Sequence, residues 1–130
     1  MKILNLNKKT YKTLFYITAV TVFILALVNN DHISINSIYA DKIKHISAFF
    51  TLSLLLNRAS STLAHRFRNI IALLLFGCLI ELVQYFIPTR DSDYMDILAD
   101  FVGIMLFQVL YSSYKMIREL FFKLKISFKN

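Results

Sequence analysis

Ionisable and amide side chains recur at helical spacing in three apolar stretches of this 130-residue chain. Glu81 and Gln84 lie three residues apart in one stretch, and Asp96 and Asp100 lie four apart in the next. Because residues at these spacings share one face of an α-helix, each pair predicts a polar face. Carboxylates, an imidazole and basic groups together could move protons, hold a divalent cation or grip an anionic headgroup. The candidate ligand-binding residues are Asp41, Lys42, His45, Glu81, Gln84, Arg90, Asp96 and Asp100.

Three of these side chains, His45, Glu81 and Asp96, are candidates for acid–base catalysis. A carboxylate beside His45, from Asp41 or Glu81, would set the protonation of its ring. No nucleophile motif, phosphate-binding loop or dinucleotide fingerprint accompanies them, so a catalytic role stays open. The chain also has no H-E-x-x-H or comparable ligand spacing. We therefore assign no metal ligands and keep a divalent cation as an alternative cofactor.

The elements that position these residues are predicted from composition. The chain is 57% hydrophobic, which exceeds the roughly 45–50% apolar content of soluble domains, and only 18% of its residues are charged. Its single cysteine, Cys78, excludes a disulfide framework and a cysteine-based zinc site, and we expect it to be packed. Four apolar stretches predict one all-α domain over residues 1–130, a transmembrane four-helix bundle. The predicted spans are residues 11–28, 43–63, 69–87 and 93–114.

The charges predict an orientation for this bundle. Twelve of the 15 basic residues fall in the N-terminal tail, the middle loop and the C-terminal tail. Because basic residues favour the cytoplasmic side, both termini are predicted to be cytoplasmic. The basic, apolar tail at residues 115–130 is expected to lie on the anionic lipids of the inner leaflet. Nucleic-acid binding is not expected, because the basic residues are spread over the span ends.

The acidic residues have the opposite distribution. Seven of the eight lie in the predicted outer loops or the outer parts of the spans, although an ionisable group inside a span costs on the order of 3 kcal/mol. Gly77, one turn before Glu81, would let a neighbouring helix approach closely. Together these features favour a polar pocket open to the outside. The structural alternative is that the same residues act as interhelical hydrogen-bonding groups, with Glu81 and Arg90 as an ion pair.

The order and spacing of these residues resemble the VanZ-like family of small bacterial membrane proteins. The resemblance runs over about residues 38–110 and has three departures. Asp100 stands where the family usually has Asn, Thr89 stands where it often has Gly, and a second Gly expected after Gly103 is missing. The resemblance rests on Asp41-Lys42, His45, Phe49-Phe50, Glu81-x-x-Gln84, Pro88-x-Arg90, Asp96, Ala99-Asp100 and Gly103.

The resemblance implies a multi-pass protein of the bacterial cytoplasmic membrane that is linked to the cell envelope. For the founding member it implies glycopeptide (teicoplanin) resistance. The leading hypothesis is that the outward pocket recognises the headgroup of an envelope lipid or a peptidoglycan precursor. One alternative is a membrane enzyme with phosphoryl or acyl chemistry on a lipid headgroup. The other is a structural or assembly subunit of the membrane.

Overall fold

The computed structural model describes residues 6–28, 35–60, 62–88 and 92–128. Within these ranges the chain forms four α-helices and no strand, which confirms the all-α prediction. The four are α1 (Lys8–Leu27), α2 (Ile35–Ala59), α3 (Leu63–Tyr85) and α4 (Tyr94–Ser127).

Polar caps fix where three of the helices begin. The side chain of Asn7 accepts a hydrogen bond from the Thr10 backbone N–H at 2.8 Å, and Thr62 accepts one from the His65 N–H at 3.4 Å. Asp93 is the N-cap of α4 and accepts from the Met95 N–H at 2.9 Å. An N-cap oxygen satisfies a backbone N–H that has no partner in the helix, so these residues set the helix starts.

Three of the four described helices, α1, α3 and α4, are long and apolar enough to cross a membrane. The exception is α2, because Lys42, Lys44 and Arg58 interrupt its apolar sequence. Large apolar side chains face outward from the other helices; Leu25 is 64% exposed and Leu75 is 65% exposed. Such surfaces are unfavourable in water and suit lipid. Cys78 also lies on an exposed surface, so the expectation that it is packed was wrong.

The core lies where α2 packs between its neighbours. Phe49 and Leu52 of α2 are fully buried, together with Ile80 of α3 and Ile104 of α4. The contact between α2 and α4 is the most extensive in the described bundle, while α1 packs on α2 and α3. Gly103 explains the closeness of α2 and α4, because a Cβ at this position would overlap the carbonyl oxygen of Ile46.

Several predicted span boundaries differ from the observed helices. The second helix runs over Ile35–Ala59 rather than over residues 43–63. The third helix begins at Leu63 rather than at residue 69, so Arg66 belongs to α3 instead of a loop. Its guanidinium donates to Gln108 Oε1 at 2.6 and 3.1 Å and lies over the Tyr111 ring, 5.0 Å from the centroid. The fourth helix continues past residue 114 to Ser127, and its 34 residues measure about 51 Å at 1.5 Å per residue. The basic tail is therefore a continuation of α4 within the described residues.

Candidate functional site

The centre of the site is a buried pair between α2 and α4. His45 Nδ1 lies 2.8 Å from Asp100 Oδ1, and both residues are buried, Asp100 completely. An ionised carboxylate has only acceptor oxygens, so His45 Nδ1 donates in this bond. The other ring nitrogen, Nε2, lies 3.8 Å from Asp96 Oδ2 and carries a lone pair when the ring is neutral.

Lys42 joins the start of α4 to α2. Its ammonium donates to Asp93 Oδ2 at 2.7 Å and to Asp96 Oδ1 at 3.0 Å. The hydrogen bond from Lys42 lowers the pKa of the Asp93 carboxyl below its ordinary value. The sequence analysis did not include Asp93 in the site. A signal was present, because Asp93 and Asp96 lie three residues apart in the first turn of a helix.

Glu81 and Gln84 extend the site to α3 and α1. Glu81 Oε2 accepts a hydrogen bond from the Asp93 backbone N–H at 3.0 Å. Gln84 turns to α1 instead, and its Nε2 donates to the Ala26 carbonyl oxygen at 2.8 Å. Glu81 therefore fixes the turn before α4, whereas Gln84 anchors the end of α1.

Buried carboxylate oxygens without partners are an unusual feature of this end of the bundle. Glu81 Oε1 and Asp100 Oδ2 are inaccessible and make no hydrogen bond to the described part of the chain. Asp100 Oδ2 rests on Gly77 of α3, where a Cβ would overlap it. The sequence predicted that a neighbouring helix would approach at Gly77, but the group that lies there is the side-chain carboxylate of Asp100. Unsatisfied buried oxygens are costly, so they are more common where a ligand binds.

A cavity of about 280 Å³ opens beside His45. Its walls are apolar and come mainly from α1 and α2, and Ile80 of α3 also contributes. Asp41, Lys44 and His45 form its polar end, where Lys44 Nζ lies 3.8 Å from Asp41 Oδ1. The α1 wall was not among the predicted site residues. The apolar wall consists of Val22, Leu25, Ala26, Val28, Ala48, Phe49 and Ile80.

The predicted site residues largely come together in the structure. Asp41, Lys42, His45, Asp96 and Asp100 are near one another, and Glu81 reaches them through the Asp93 backbone. Arg90 lies outside the described residues. We call the five acids of this region the carboxylate cluster. It consists of Asp41, Glu81, Asp93, Asp96 and Asp100.

The charge of the carboxylate cluster limits what it can bind. Among the described residues, the region holds five acidic side chains but only two lysines, Lys42 and Lys44. The acidic residues are therefore in excess when His45 is neutral. An acidic cavity end favours cations and hydrogen-bond donors, while the exposed Lys44 ammonium can meet an anionic group at its rim. His45, held by Asp100, is placed to accept or donate a proton through Nε2.

Residues 3–118, which are 116 of the 130 residues, match the VanZ/LLP1 family. The chain belongs to the VanZ/LLP1 family. Every predicted site residue of this VanZ-family protein falls inside the matched region. Family membership and the long apolar helices together establish a multi-pass membrane protein. No curated protein and no solved structure matches the chain of this VanZ-family protein significantly.

Proposed function

We propose that this VanZ-family protein binds the polar headgroup of an envelope lipid or a peptidoglycan precursor. The single observation that supports it most is the cavity, which has apolar walls and a polar end at Asp41, Lys44 and His45. A cavity of this kind suits an amphiphile, whose chain contacts the walls while its headgroup meets the polar groups.

The roles of the basic residues follow from how each is held. Lys42 is committed to Asp93 and Asp96, so it orients the start of α4. The Lys44 side chain is 63% exposed, so its ammonium can contact a phosphate or carboxylate. Arg90, which follows α3 in the sequence, is proposed to contact the same anionic group. Asp41, which lines the cavity, would accept hydrogen bonds from the hydroxyl, amine or amide groups of the headgroup. Glu81 supports the site from behind by holding the turn before α4.

We expect Lys44→Gln and Glu81→Gln each to weaken headgroup binding at least tenfold. Lys44→Gln removes a charge at the polar end of the cavity, and Glu81→Gln weakens the acceptor that holds the turn before α4. The measurement is native mass spectrometry of the purified protein with envelope lipids and lipid-linked precursors. Matched controls are Lys123→Gln and Glu119→Gln on the exposed part of α4, which should bind as the wild type does.

The same residues can be tested in cells with a teicoplanin-susceptibility assay at matched membrane levels. Glu81→Gln and Arg90→Ala are expected to remove any protection that the wild-type protein gives. If both keep the full phenotype while a core variant such as Leu52→Ala loses it, the pocket is not the functional element. A purely structural subunit predicts that Glu81→Leu changes stability alone.

A membrane enzyme acting on a lipid headgroup is the second candidate function. One observation favours it: His45 is fixed by Asp100 and presents Nε2 toward Asp96. A histidine positioned in this way is suited to general acid–base catalysis of phosphoryl or acyl transfer. Incubation with labelled envelope lipids, with and without a chelator, separates turnover from binding. The absence of any product across a broad lipid panel would count against the enzyme.

The proposed site requires an outward orientation in the bacterial cytoplasmic membrane. We propose four spans with both termini in the cytoplasm, so that the carboxylate cluster faces outward and the basic end of α4 meets the inner leaflet. In a Cys78→Ser background, Tyr39→Cys is expected to react with an impermeant maleimide in intact cells. Lys123→Cys should react only after permeabilisation. The reverse pattern would overturn the orientation.

A further inference from the structure

We infer that Asp41, His45 and Asp96 form a binding site for a divalent transition-metal ion of the Zn²⁺ or Mn²⁺ class. One potential ligand atom from each residue lies within 4.8 Å of the other two. Asp41 and His45 are four residues apart on α2, so both side chains reach the same point, and α4 supplies Asp96. This inference goes beyond headgroup binding, because the ion would bind whether or not a lipid is present.

The strongest support is the orientation of His45. In the neutral ring, Nδ1 donates to Asp100 Oδ1, and the lone pair of Nε2 is available on the side of Asp96. Metal-binding histidines usually donate their second nitrogen to a carboxylate or carbonyl in this way, which fixes the ring and raises its basicity. Asp100 therefore has the position of a supporting residue rather than of a ligand.

The second support comes from the oxygen atoms that remain available. Lys42 occupies Oδ1 of Asp96, while Oδ2 faces the histidine ring. One oxygen of Asp41, like Oδ2 of Asp96, can approach the same point as the His45 ring. An excess of carboxylate oxygen around one imidazole is compensated when a cation binds.

The distances require only a small adjustment. Zinc bonds to nitrogen and oxygen of about 2.0–2.2 Å place neighbouring ligand atoms about 3–3.5 Å apart. His45 Nε2 and Asp96 Oδ2 are 3.8 Å apart, so rotations of the side chains would close the site. Asp41 is half-buried at the cavity, and its charged partner at 3.8 Å is the flexible Lys44, so its carboxylate can turn.

The donor set selects the class of ion. Mg²⁺ and Ca²⁺ prefer oxygen ligands alone, whereas an imidazole favours Zn²⁺ and its first-row neighbours, and carboxylates also suit Mn²⁺. Three protein ligands leave at least one position open, and Asp41 and His45 both line the cavity. A headgroup phosphate could fill that position, a step that rests on the proposed function.

The test uses the full-length protein purified in detergent, stripped with a chelator and then dialysed. Titration calorimetry with Zn²⁺ and with Mn²⁺, checked by elemental analysis, is expected to show one tightly bound ion per chain. Asp41→Asn, His45→Gln and Asp96→Asn should each weaken binding at least tenfold, and Asp100→Asn should weaken it about 10–100-fold as a supporting residue. His65→Gln and Glu119→Gln are matched controls that should bind normally.

Asp41→Asn is the decisive variant, because it replaces a half-buried side chain whose charged partner is weakly held, and it should fold. Binding that survives Asp41→Asn and His45→Gln, or no stoichiometric binding by the wild type, would overturn the inference. Lipid binding is measured separately on the chelator-treated protein. Lipid binding without metal binding would refute the metal site alone. Metal binding without lipid binding would refute the headgroup proposal alone.

Discussion

Replacing Gly103 with alanine is expected to separate α2 from α4 and to lower the free energy of unfolding by about 1–3 kcal/mol. The added Cβ would overlap the Ile46 carbonyl oxygen and lie 3.1 Å from the carbonyl carbon and Cα of the same residue. These atoms belong to the α2 backbone, so a side-chain rotation cannot relieve the overlap. Thermal unfolding in detergent, followed by circular dichroism, measures the loss.

The matched control adds a methyl group elsewhere on α4. Val102 is 44% exposed, and Val102→Ile should leave the unfolding midpoint unchanged. Gly77→Ala gives a useful contrast, because its Cβ meets the end of the Asp100 side chain rather than a backbone. We expect it to cost less stability than Gly103→Ala while displacing the carboxylate from His45. Equal stability of Gly103→Ala and the wild type would refute the close packing of α2 on α4.

The second large effect is expected at His45. His45→Leu would leave the fully buried Asp100 carboxylate without its hydrogen-bond partner. Leaving a buried carboxylate without its hydrogen-bond donor costs about 3 kcal/mol, because the oxygen has lost its contact with water and gains no other partner. The measurement is the unfolding free energy or midpoint in detergent, compared with the wild type at the same pH.

The double variant His45→Leu/Asp100→Leu supplies the control for this interpretation. With both members replaced by apolar side chains, no unpaired charge remains, and most of the lost stability should return. A double-mutant cycle then gives the coupling between the two residues. If the double variant is as unstable as the sum of the two single variants, His45 and Asp100 are not coupled, and the buried pair does not hold the site together.

Helix faces were the part of this protein that the sequence predicted well. The spacing of Gly77 and Glu81 on α3 and of Asp96 and Asp100 on α4 placed the right residues on the faces that meet. These signals are local, since a period of 3.6 residues determines them. Helix ends were predicted less well, because charged residues end an apolar span without ending the helix. Arg66 and Arg68 before residue 69 and Lys115 and Arg118 after residue 114 are good helix formers.

The partners of the site residues were harder to predict, for a physical reason. Lys42 bonds Asp93, 51 residues away, and Gln84 bonds a backbone carbonyl of α1. Neither contact leaves a periodic trace in the sequence. The α1 wall of the cavity is also hidden, because its apolar side chains look the same whether they face lipid, a core or a ligand.

The composition of α2 has a consequence for how the protein is made. Because of Lys42, Lys44 and Arg58, α2 is less apolar than the other three described helices. Contact with lipid alone therefore stabilises it weakly. Its polar groups are matched mainly by Asp93, Asp96 and Asp100, which the ribosome adds only about fifty residues later. We therefore expect α2 to reach its final position only after α4 has been synthesised and supplies these partners.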